Sequence, residues 1–253
     1  MKQGLTLLMI TKNSQELLEM SLTSVDGLSK EKILVDDGST DETREIARNF
    51  GAKIYTYREE NLGKKRAFGL QKVKTDWVLV LDADEIVSKE LRNEITELLN
   101  GSIAEKGFRI PYQNHFLGRP MNHGGEDYKM LRLFKSDSVV IDGALVHEGF
   151  QLKSGKVGEL KNKIFHYSYR SIPQMFRKFT DYAIREAKQK AAKGERSSIK
   201  KIFLYPPHMF WARFVEDKGY KDGIFRIPLD IGFAYMEFVT YLILLFYSRR
   251  RTK

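Results

Sequence analysis

Between Trp77 and Glu85 the chain reads Trp-Val-Leu-Val-Leu-Asp-Ala-Asp-Glu, an apolar run that ends abruptly in three carboxylates. A short apolar run bounded by polar residues is typical of a buried strand, here in a parallel sheet. Open α/β sheets bind their ligands just beyond the carboxyl ends of such strands. Asp82 and Asp84, one residue apart, are therefore suited to a hard divalent cation that also carries phosphate oxygens. The alternative is a strand followed directly by a helix, whose positive end Asp84 or Glu85 would stabilise.

The rest of the front half alternates predicted strands with predicted helices. This alternation predicts an α/β fold with a parallel or mostly parallel sheet. The predicted strands are 5–10, 32–35, 53–57, 77–81, 107–112, 129–135 and 139–146. The predicted helices run from a cap near Ser14 to about Val25, over 42–50, and onward from Asn61.

Three of these strands end in polar residues, and parallel strands bring their carboxyl ends to one edge of the sheet. Thr11 follows the first strand, Asp36 and Asp37 the second, and Asp82 the fourth. Such a set of polar groups suits a nucleotide. A carboxylate after the second strand can accept hydrogen bonds from its uracil or ribose, and the carboxylates after the fourth strand can hold a metal ion on its diphosphate. The alternative for 36–41 is a turn and a helix cap. Residues 64–66 are interpreted as a mostly solvated basic face from which one side chain reaches the diphosphate.

Length, composition and missing motifs exclude several classes of protein. The 253 residues, 42% hydrophobic and 30% charged, predict a globular chain with one large α/β core, or one core plus a small appendage. The chain has no cysteine, so disulfides, thiolate metal sites and cysteine nucleophiles are excluded. No G-x-G-x-x-G follows the first strand and no G-x-x-x-x-G-K-[ST] occurs, which argues against dinucleotide dehydrogenases and P-loop enzymes. The N-terminus reads as a strand rather than a signal peptide, which predicts a cytosolic protein.

The net charge of +10 is concentrated in the back half of the chain. Residues 150–253 hold 22 Lys and Arg against 9 Asp and Glu, whereas residues 1–149 hold 21 against 24. The acidic front half suits a metal, and the basic back half suits an anionic surface, either membrane or nucleic acid. No recognised RNA- or DNA-reading module is present, so the sequence predicts no nucleic-acid partner.

The order of motifs in the front half resembles glycosyltransferase family 2, whose members have the GT-A fold. The resemblance covers about residues 4–150 and rests on Thr11, V-D-D-G-S-T-D at 35–41, N-x-G-x-x-x-A at 61–67 and L-D-A-D-E at 81–85. It implies inverting transfer of a sugar from a nucleotide-diphospho-sugar, with Mn²⁺ or Mg²⁺ held by the D-x-D motif. The implied nucleotide-sugar contacts are Thr11, Asn13, Asp36, Asp37, Asn61, Lys64, Arg66, Asp82 and Ala83. The implied metal ligands are Asp84, Asp82 and His166.

The middle of the chain resembles a narrower group, the bacterial lipopolysaccharide-core glucosyltransferases of the WaaE/KdtX type. The motifs are N-x-F-x-G-R at 114–119, H-G-G at 123–125, R-L-F at 132–134, V-H-E at 146–148 and H-Y-S at 166–168. This resemblance implies transfer of a hexose, glucose, from a UDP-sugar to a lipid-linked saccharide such as the lipopolysaccharide inner core. The implied acceptor contacts are His123, Glu126, Arg132 and His147. The sequence departs from the group at Glu126-Asp127, where the group tends to carry an aromatic residue and then Pro-Asp.

Two carboxylates are candidates for the general base that inverting transfer needs. Glu148 is the first choice because it follows a predicted strand beside His147, in a segment flanked by glycines. Asp127 is the second, because Gly124-Gly125-Glu126-Asp127 resembles the segment that supplies the base in other members of family 2. Both also have structural interpretations, Glu148 as an exposed carboxylate and Asp127 as a turn cap. His166, which follows a short apolar pair, is a metal ligand or a structural histidine.

The C-terminal region is predicted to form basic, aromatic, amphipathic helices. One helix continues to Gly194, and a second begins near Ser197 and is predicted to end at Pro206-Pro207. The apolar stretch 227–247 contains two carboxylates, and its uninterrupted run after Glu237 is too short for the roughly 20 residues that span a bilayer. The helices are therefore predicted to lie on the inner membrane surface, with aromatic residues at the interface and Lys or Arg against anionic headgroups. The alternatives are a helical cap packed on the sheet and an interface between copies of the chain.

These observations predict a GT-A catalytic domain over residues 1–170 and a helical region over 171–253. The nucleotide-sugar half would be about 1–100 and the acceptor half about 101–170. The enzyme would be attached peripherally to the cytoplasmic face of the inner membrane, with oligomerisation as a further possibility. Alternative acceptors are another polysaccharide, a polyprenyl phosphate or a protein. A sugar nucleotidyltransferase would need a glycine-rich loop after the first strand, which 11–14 lacks, and a non-enzymatic binding module would leave the strand-end carboxylates without a purpose.

Overall fold

The structure of this chain is a computed structural model that describes residues 3–141 and 150–250, with side chains as far as Tyr247. The chain forms two compact units. The first unit comprises Met1–Tyr112 and Tyr128–His166, and the second comprises Gln113–Asp127 and Tyr167–Lys253. The strands are β1 (Leu5–Thr11), β2 (Glu31–Asp36), β3 (Lys53–Thr56), β4 (Trp77–Asp82), β5 (Glu85–Val87), β6 (Gly107–Phe116), β7 (Arg119–Met121), β8 (Lys129–Lys135), β9 (Val139–Ile141), β10 (Phe150–Leu152), β11 (Val157–Glu159) and β12 (Ile164–Tyr169). The helices are α1 (Gln15–Ser24), α2 (Thr43–Asn49), α3 (Leu62–Leu70), α4 (Lys89–Asn100), α5 (Ile172–Ala192), α6 (Ile199–Trp211) and α7 (Ile227–Arg250).

The first unit is built on four parallel strands in the order β3-β2-β1-β4. β8 then pairs antiparallel with β4, and β6 pairs antiparallel with β8. Antiparallel strands thus extend the sheet beyond the D-x-D strand. The α/β class and the parallel strands flanked by helices are confirmed.

Both faces of β1 are buried, which explains its continuous apolar sequence. Leu5, Leu7 and Met9 point to one face and join a core cluster with side chains from α1 and α4. Leu8 points to the opposite face, where Phe68 of α3 packs on the second cluster. A strand covered by helices on both faces reads as an apolar run rather than as an alternation.

The second unit is mostly helical, as predicted for the C-terminal region. Met175 and Phe179 of α5 pack with Leu229 of α7 and with the β6–β7 hairpin in one apolar cluster. A second cluster joins α5, α6 and α7 around Ile202 and Tyr241. The segment Ile224–Tyr247 is long and apolar enough to cross a membrane by length and composition, with a mean hydropathy of 1.7. Buried core helices of soluble proteins meet the same criterion, and Asp230 in this segment is fully buried.

The predicted end of the sixth helix at Pro206-Pro207 is wrong. α6 continues through both prolines to Trp211. Proline removes a backbone hydrogen bond within a helix, but packing can offset this cost. Ile202 is 5% exposed and the Tyr205 ring meets the Tyr241 ring edge to face at 4.9 Å, so contacts with α7 hold the helix directly before the two prolines.

One strand boundary also differs from the prediction. The strand predicted over 107–112 continues as β6 to Phe116, where it pairs with β7. The extension falls in the second unit, where the hairpin with β7 prolongs the strand. Residues Gly219–Asp222 form a 3-10 turn.

Candidate active site at the carboxyl ends of the parallel strands

The three polar strand ends lie on adjacent strands at one edge of the sheet. Thr11 of β1 pairs with Asp36 of β2, and Ile10 of β1 pairs with Asp82 of β4. β1 therefore lies between the two carboxylate-bearing ends. The predicted meeting of these residues at one edge follows directly from the strand order.

The end of β2 is held by its own side chains. Asp36 is fully buried and accepts hydrogen bonds from the backbone N–H groups of Gly38 and Ser39 and from Arg44 Nε at 2.7 Å. Burial raises the pKa of Asp36, but the hydrogen bonds from Ser39 and Arg44 outweigh it and leave that pKa below its usual value. Asn13 accepts a hydrogen bond from the Thr40 N–H, so it ties the β1 loop to the β2 loop. Asp36 and Asn13 therefore shape this edge of the sheet.

The solvated basic face predicted for residues 64–66 is correct only for Lys64, which is exposed and pairs with Glu59. Lys65 is 4% exposed and its ammonium lies 2.8 Å from the Asp37 carboxylate, which Lys12 also contacts. Arg66 is 7% exposed. The reason is the close packing of α3, in which a Cβ at Gly69 would lie 2.5 Å from a methyl group of Leu8 on β1.

Asp82, the first carboxylate of the D-x-D motif, lies between two arginines. Its Oδ1 accepts a hydrogen bond from Arg66 Nη2 at 3.2 Å and its Oδ2 accepts one from Arg132 Nη2 at 3.1 Å. Burial raises the pKa of Asp82, but the charges of Arg132 and Arg66 lower it by a larger amount. The pKa of Asp82 is therefore below its usual value, and the carboxylate stays ionised. The family resemblance implied Arg132 as an acceptor contact, whereas the structure buries Arg132, 3% exposed, with its guanidinium against Asp82 and Glu85.

Glu85 is a buried structural residue that holds Asp82 and Arg132 in place, a role that sequence reasoning missed. Its Oε2 accepts the Asp82 N–H at 2.9 Å, and its Oε1 accepts hydrogen bonds from Arg132 Nη2 at 2.9 Å and from the Tyr112 hydroxyl at 3.0 Å. Burial and the nearby Asp82 raise the pKa of Glu85 despite Arg132. The alternative of a helix cap at 84–85 is wrong, because Glu85 begins β5 and Ser88 caps α4. The only sign of this role in the sequence was that Glu85, a third acidic residue, directly follows the D-x-D motif.

Asp84, the second carboxylate of the motif, faces His166. Asp84 Oδ1 lies 3.5 Å from His166 Nε2, and the β5–β12 ladder pairs His166 with Glu85. Burial lowers the pKa of His166, but the hydrogen bond and charge of Asp84 outweigh it and raise that pKa above its usual value. The structure thus brings together two of the three predicted metal ligands, which are far apart in sequence, while the arginines engage the third.

The donor set of Asp84 and His166 fits a divalent cation shared with a diphosphate. Among residues 3–141 and 150–247, no group of three or more His, Asp or Glu side chains is arranged to hold a metal by protein ligands alone. A Mg²⁺-type ion commonly takes one or two carboxylates and completes its shell with substrate phosphates and water. Imidazole is compatible with Mn²⁺. One carboxylate and one imidazole therefore suffice for an ion that arrives with its nucleotide.

Thr11 offers the clearest sign of a missing polar contact. Its hydroxyl is buried, and in the part of the chain that the structure describes it has no hydrogen-bond partner. A buried hydroxyl without a partner costs on the order of 1–3 kcal/mol. Asn61, another predicted nucleotide contact, caps α3 by accepting the Lys64 N–H, and Ala83 is 8% exposed between the two D-x-D carboxylates.

The predicted acceptor-side residues of the second unit lie in the loop 122–127. His123 Nδ1 lies 2.9 Å from Asp222 Oδ1, and Glu126 is buried in an ion-pair network with Arg213 and Arg226. Asp127 is exposed. Glu148 and His147, the first-choice base and its neighbour, lie outside the described residues.

Comparison with known proteins places this site in a family context. Residues 6–147 match the family described as glycosyl transferase family 2. An uncharacterised glycosyltransferase of Rickettsia conorii is 26% identical over 91% of this chain and 86% of its own length. The lipopolysaccharide core biosynthesis glycosyltransferase LpsC of Rhizobium meliloti is 26% identical over 90% of this chain and 85% of its own length. Among solved structures, S. aureus TarS in complex with UDP covers 99% of this chain and 92% of its own, with 14% identity and a TM-score of 0.49.

Proposed function

The chain belongs to glycosyl transferase family 2, and on that premise we propose that it is an inverting, metal-dependent enzyme that transfers a hexose from a UDP-sugar to a lipid-linked saccharide. The proposed hexose is glucose and the proposed acceptor is the lipopolysaccharide inner core. The name of the R. meliloti relative, a lipopolysaccharide core biosynthesis glycosyltransferase, supports this class of acceptor. The acceptor motifs described above support the narrower assignment.

The observation that carries the proposal is the convergence of Thr11, Asp82 and Asp84 at the edge of the parallel strands. Thr11 brings a buried hydroxyl without a partner among the described residues, which a nucleotide would satisfy. Asp84 and His166 bring a carboxylate and an imidazole for the cation. Ligands of α/β sheets bind beyond the carboxyl ends of strands, which is where these groups lie.

The residues around the D-x-D motif have separable roles in the proposed reaction. When bound, the metal would supply positive charge that stabilises the leaving diphosphate. Arg66 and Arg132 keep Asp82 ionised and fix its orientation. Glu85 accepts the backbone N–H of Asp82 and so fixes the turn that presents Asp84. Preorganised charge of this kind costs no rearrangement during the reaction.

The base that takes the proton of the acceptor hydroxyl is proposed to be Glu148 or Asp127, and substitution separates them. Replacing the base by its amide is expected to leave UDP-sugar binding near normal and to lower the rate of transfer by about 10²-fold or more, because the amide cannot take the proton. Initial rates of Glu148→Gln and Asp127→Asn, compared with the exposed control Glu19→Gln, identify the base. Equal rates in all three variants would exclude both candidates.

Attachment to an anionic membrane surface is proposed to use the exposed face of α6. Ile199, Phe203, Leu204 and Trp211 are between 54% and 67% exposed. Lys193 and Arg196, which precede α6 in sequence, and Lys200 at its beginning are also exposed. An amphipathic helix with large apolar side chains and neighbouring cations is suited to the interface of a bilayer with anionic lipids.

Removing apolar side chains from this face is expected to weaken binding to vesicles. The double substitution Phe203→Ser and Leu204→Ser should reduce co-sedimentation with phosphatidylglycerol vesicles by about tenfold or more, since losing part of two apolar burials amounts to at least about 1.4 kcal/mol. Met20→Ser, which changes a residue 54% exposed in the first unit, is the matched control. Unchanged sedimentation of the double variant would assign the face to a protein partner or to self-association instead.

The proposed donor is tested by thermal unfolding with nucleotides. UDP and UDP-glucose are expected to stabilise the protein only when Mn²⁺ or Mg²⁺ is present, whereas ADP and GDP should not. Ligand at 100 times its dissociation constant stabilises by about 2.7 kcal/mol. Absence of any shift with uridine nucleotides and metal would contradict the proposed donor. Release of UDP from UDP-glucose in the presence of extracted lipopolysaccharide core then tests the acceptor.

A further inference from the structure

Arg226 is a fully buried arginine in the second unit, and it binds the backbone of the loop 122–127. Its Nη1 donates to the carbonyl oxygen of His123 at 2.6 Å, and its Nη2 donates to that of Gly124 at 2.9 Å. Its Nε donates to the Asp230 carboxylate at 2.9 Å. Its side chain is 0% exposed. A buried guanidinium that donates to two successive carbonyl groups fixes the path of the chain between them.

Asp222 holds the same loop from the other direction. Its Oδ2 accepts hydrogen bonds from the backbone N–H groups of Asn122 and His123, both at 3.0 Å, and also faces Arg226 Nη1 at 3.2 Å. Its Oδ1 lies 2.9 Å from His123 Nδ1. Arg226 therefore binds the carbonyl groups of His123 and Gly124, and Asp222 binds the N–H groups of Asn122 and His123. Both side chains lie about 100 residues away in sequence.

The loop can approach Arg226 only because residue 124 is glycine. Gly124 has a φ of +67°, and a Cβ built on it would lie 2.1 Å from Arg226 Nη2. Gly118, at the tip of the β6–β7 hairpin, has a φ of +79° but nothing within 4 Å of such a Cβ. The two glycines share a left-handed backbone, and only Gly124 has the close contact. A side chain at either position would strain the backbone, but of the two only a side chain at 124 would also collide with Arg226. Comparing the two positions therefore distinguishes the effect of strain from the effect of the contact.

The two acids that follow the glycines have opposite environments. Glu126 accepts hydrogen bonds from Asn114 Nδ2 at 2.7 Å and from Arg213, and faces Arg226 Nη2 at 3.4 Å. Asp127, the next residue, is exposed, and in the described part of the chain no ion pair or hydrogen bond of its carboxylate occurs. Glu126 is held by these buried partners and is therefore suited to anchor the loop, whereas the exposed Asp127 carboxylate is accessible to an acceptor hydroxyl.

We propose that Arg226 is a positioning residue for transfer, which fixes the loop 122–127 and thereby the Asp127 carboxylate that meets the acceptor hydroxyl. This inference rests on the proposed function. It assigns the 3-10 turn Ile224–Arg226, directly before α7, to the acceptor side of the reaction. Glu126 belongs to the anchor of the loop in this proposal, and Asp127 is the group that the anchor presents.

The test compares Gly124→Ala with Gly118→Ala in the full-length protein. Gly124→Ala is expected to lower kcat for transfer from UDP-glucose to extracted lipopolysaccharide core by about 10²-fold, because displacement of a reacting group by about 1 Å costs that much. The KM for UDP-glucose should stay within about twofold of the wild-type value, since the donor site is unchanged. Gly118→Ala should keep its kcat within the same factor. Equal kcat values in the two variants would overturn the proposal.

A second comparison uses Arg226 itself. Arg226→Lys keeps the charge but loses the planar fork that reaches two carbonyl groups, so it should lower kcat almost as much as Gly124→Ala. Recovery of the wild-type kcat in Arg226→Lys would show that only charge matters and would overturn the positioning role. Arg185→Lys, at an exposed position on α5, is the matched control for loss of a guanidinium with the charge kept.

Hydrogen exchange separates failure of this inference from failure of the proposed function. Backbone amides of 122–127 should exchange faster in Gly124→Ala than in Gly118→Ala, while the amides of β1 and β4 exchange equally. This readout needs no substrate. If the wild-type protein shows no transfer but the exchange differs as expected, the acceptor assignment fails and the anchor stands. If the exchange of 122–127 is equal in the two variants, the anchor itself is wrong.

Discussion

Replacing Asp84 by alanine is expected to abolish the metal-dependent stabilisation of the protein by a UDP-sugar while leaving its fold intact. Asp84 supplies the carboxylate that faces His166 Nε2, whereas Asp82 is engaged by Arg66 and Arg132. An ion that depends on one or two protein ligands loses most of its affinity when the carboxylate is removed. The shift of about 2.7 kcal/mol expected at 100 times the dissociation constant should disappear.

Thermal unfolding of Asp84→Ala with UDP-glucose, with and without Mn²⁺, measures this loss. Glu19→Ala is the matched control, because Glu19 is an exposed carboxylate on α1. The unfolding temperature of Asp84→Ala without ligand should resemble that of the control, because Asp84 is partly exposed. A metal-dependent shift of wild-type size in Asp84→Ala would show that the cation binds elsewhere.

Replacing Arg132 by methionine is expected to lower the free energy of unfolding by about 3–5 kcal/mol, the cost of leaving buried carboxylates without their cation. Arg132 is 3% exposed and contacts both Asp82 and Glu85. Its Nε also donates to the Tyr112 hydroxyl at 2.6 Å. Methionine fills a similar volume but leaves two acids and a hydroxyl without this donor.

The same substitution should change how stability depends on pH. Without Arg132, the pKa values of Asp82 and Glu85 should both rise, because the charge that favours their ionised forms is gone. The folded variant then takes up protons at a higher pH than the wild type does. Its deficit in unfolding free energy should therefore shrink as the pH falls and grow as it rises.

Urea unfolding of Arg132→Met at several pH values measures both effects. Arg109→Met is the control, since Arg109 is an exposed arginine on the neighbouring strand β6, and its effect should stay within about 0.5 kcal/mol. A deficit in Arg132→Met as small as that of the control would mean that water or another cation replaces the guanidinium. A deficit independent of pH would mean that packing, rather than charge, explains it.

The sequence predicted the edge of the parallel sheet well because local patterns determine it. Apolar runs, their polar ends and the intervening helices follow from periodicities of two and 3.6 residues. The position of Asp82 at the end of β4 needs no knowledge of distant residues. The same reasoning failed for Lys65 and Arg66, because their burial depends on how closely α3 approaches β1 through Gly69.

Contacts between distant residues were beyond the reach of sequence reasoning. Arg132 meets Asp82 across 50 positions because β8 pairs antiparallel with β4, and nothing near either residue indicates that pairing. Arg226 meets the carbonyl group of His123 across 103 positions. His166 was predicted beside Asp84 only through the family resemblance. The spacing of these residues along the chain contains no signal of the contact.

The division of the chain has a practical consequence for making shorter fragments of this protein. Deleting all residues after His166 would keep Gln113–Asp127, a segment that belongs to the second unit and that we call the excursion. The excursion would then lack Arg213 and Arg226, the cations that neutralise Glu126. We expect the protein truncated in this way to aggregate. The excursion begins and ends at Tyr112 and Tyr128, whose backbones share a 3.1 Å hydrogen bond and whose rings stack at 5.2 Å. A two-residue Asn-Gly turn that splices Tyr112 to Tyr128 would close the gap and yield an expressible donor half for crystallography with nucleotides.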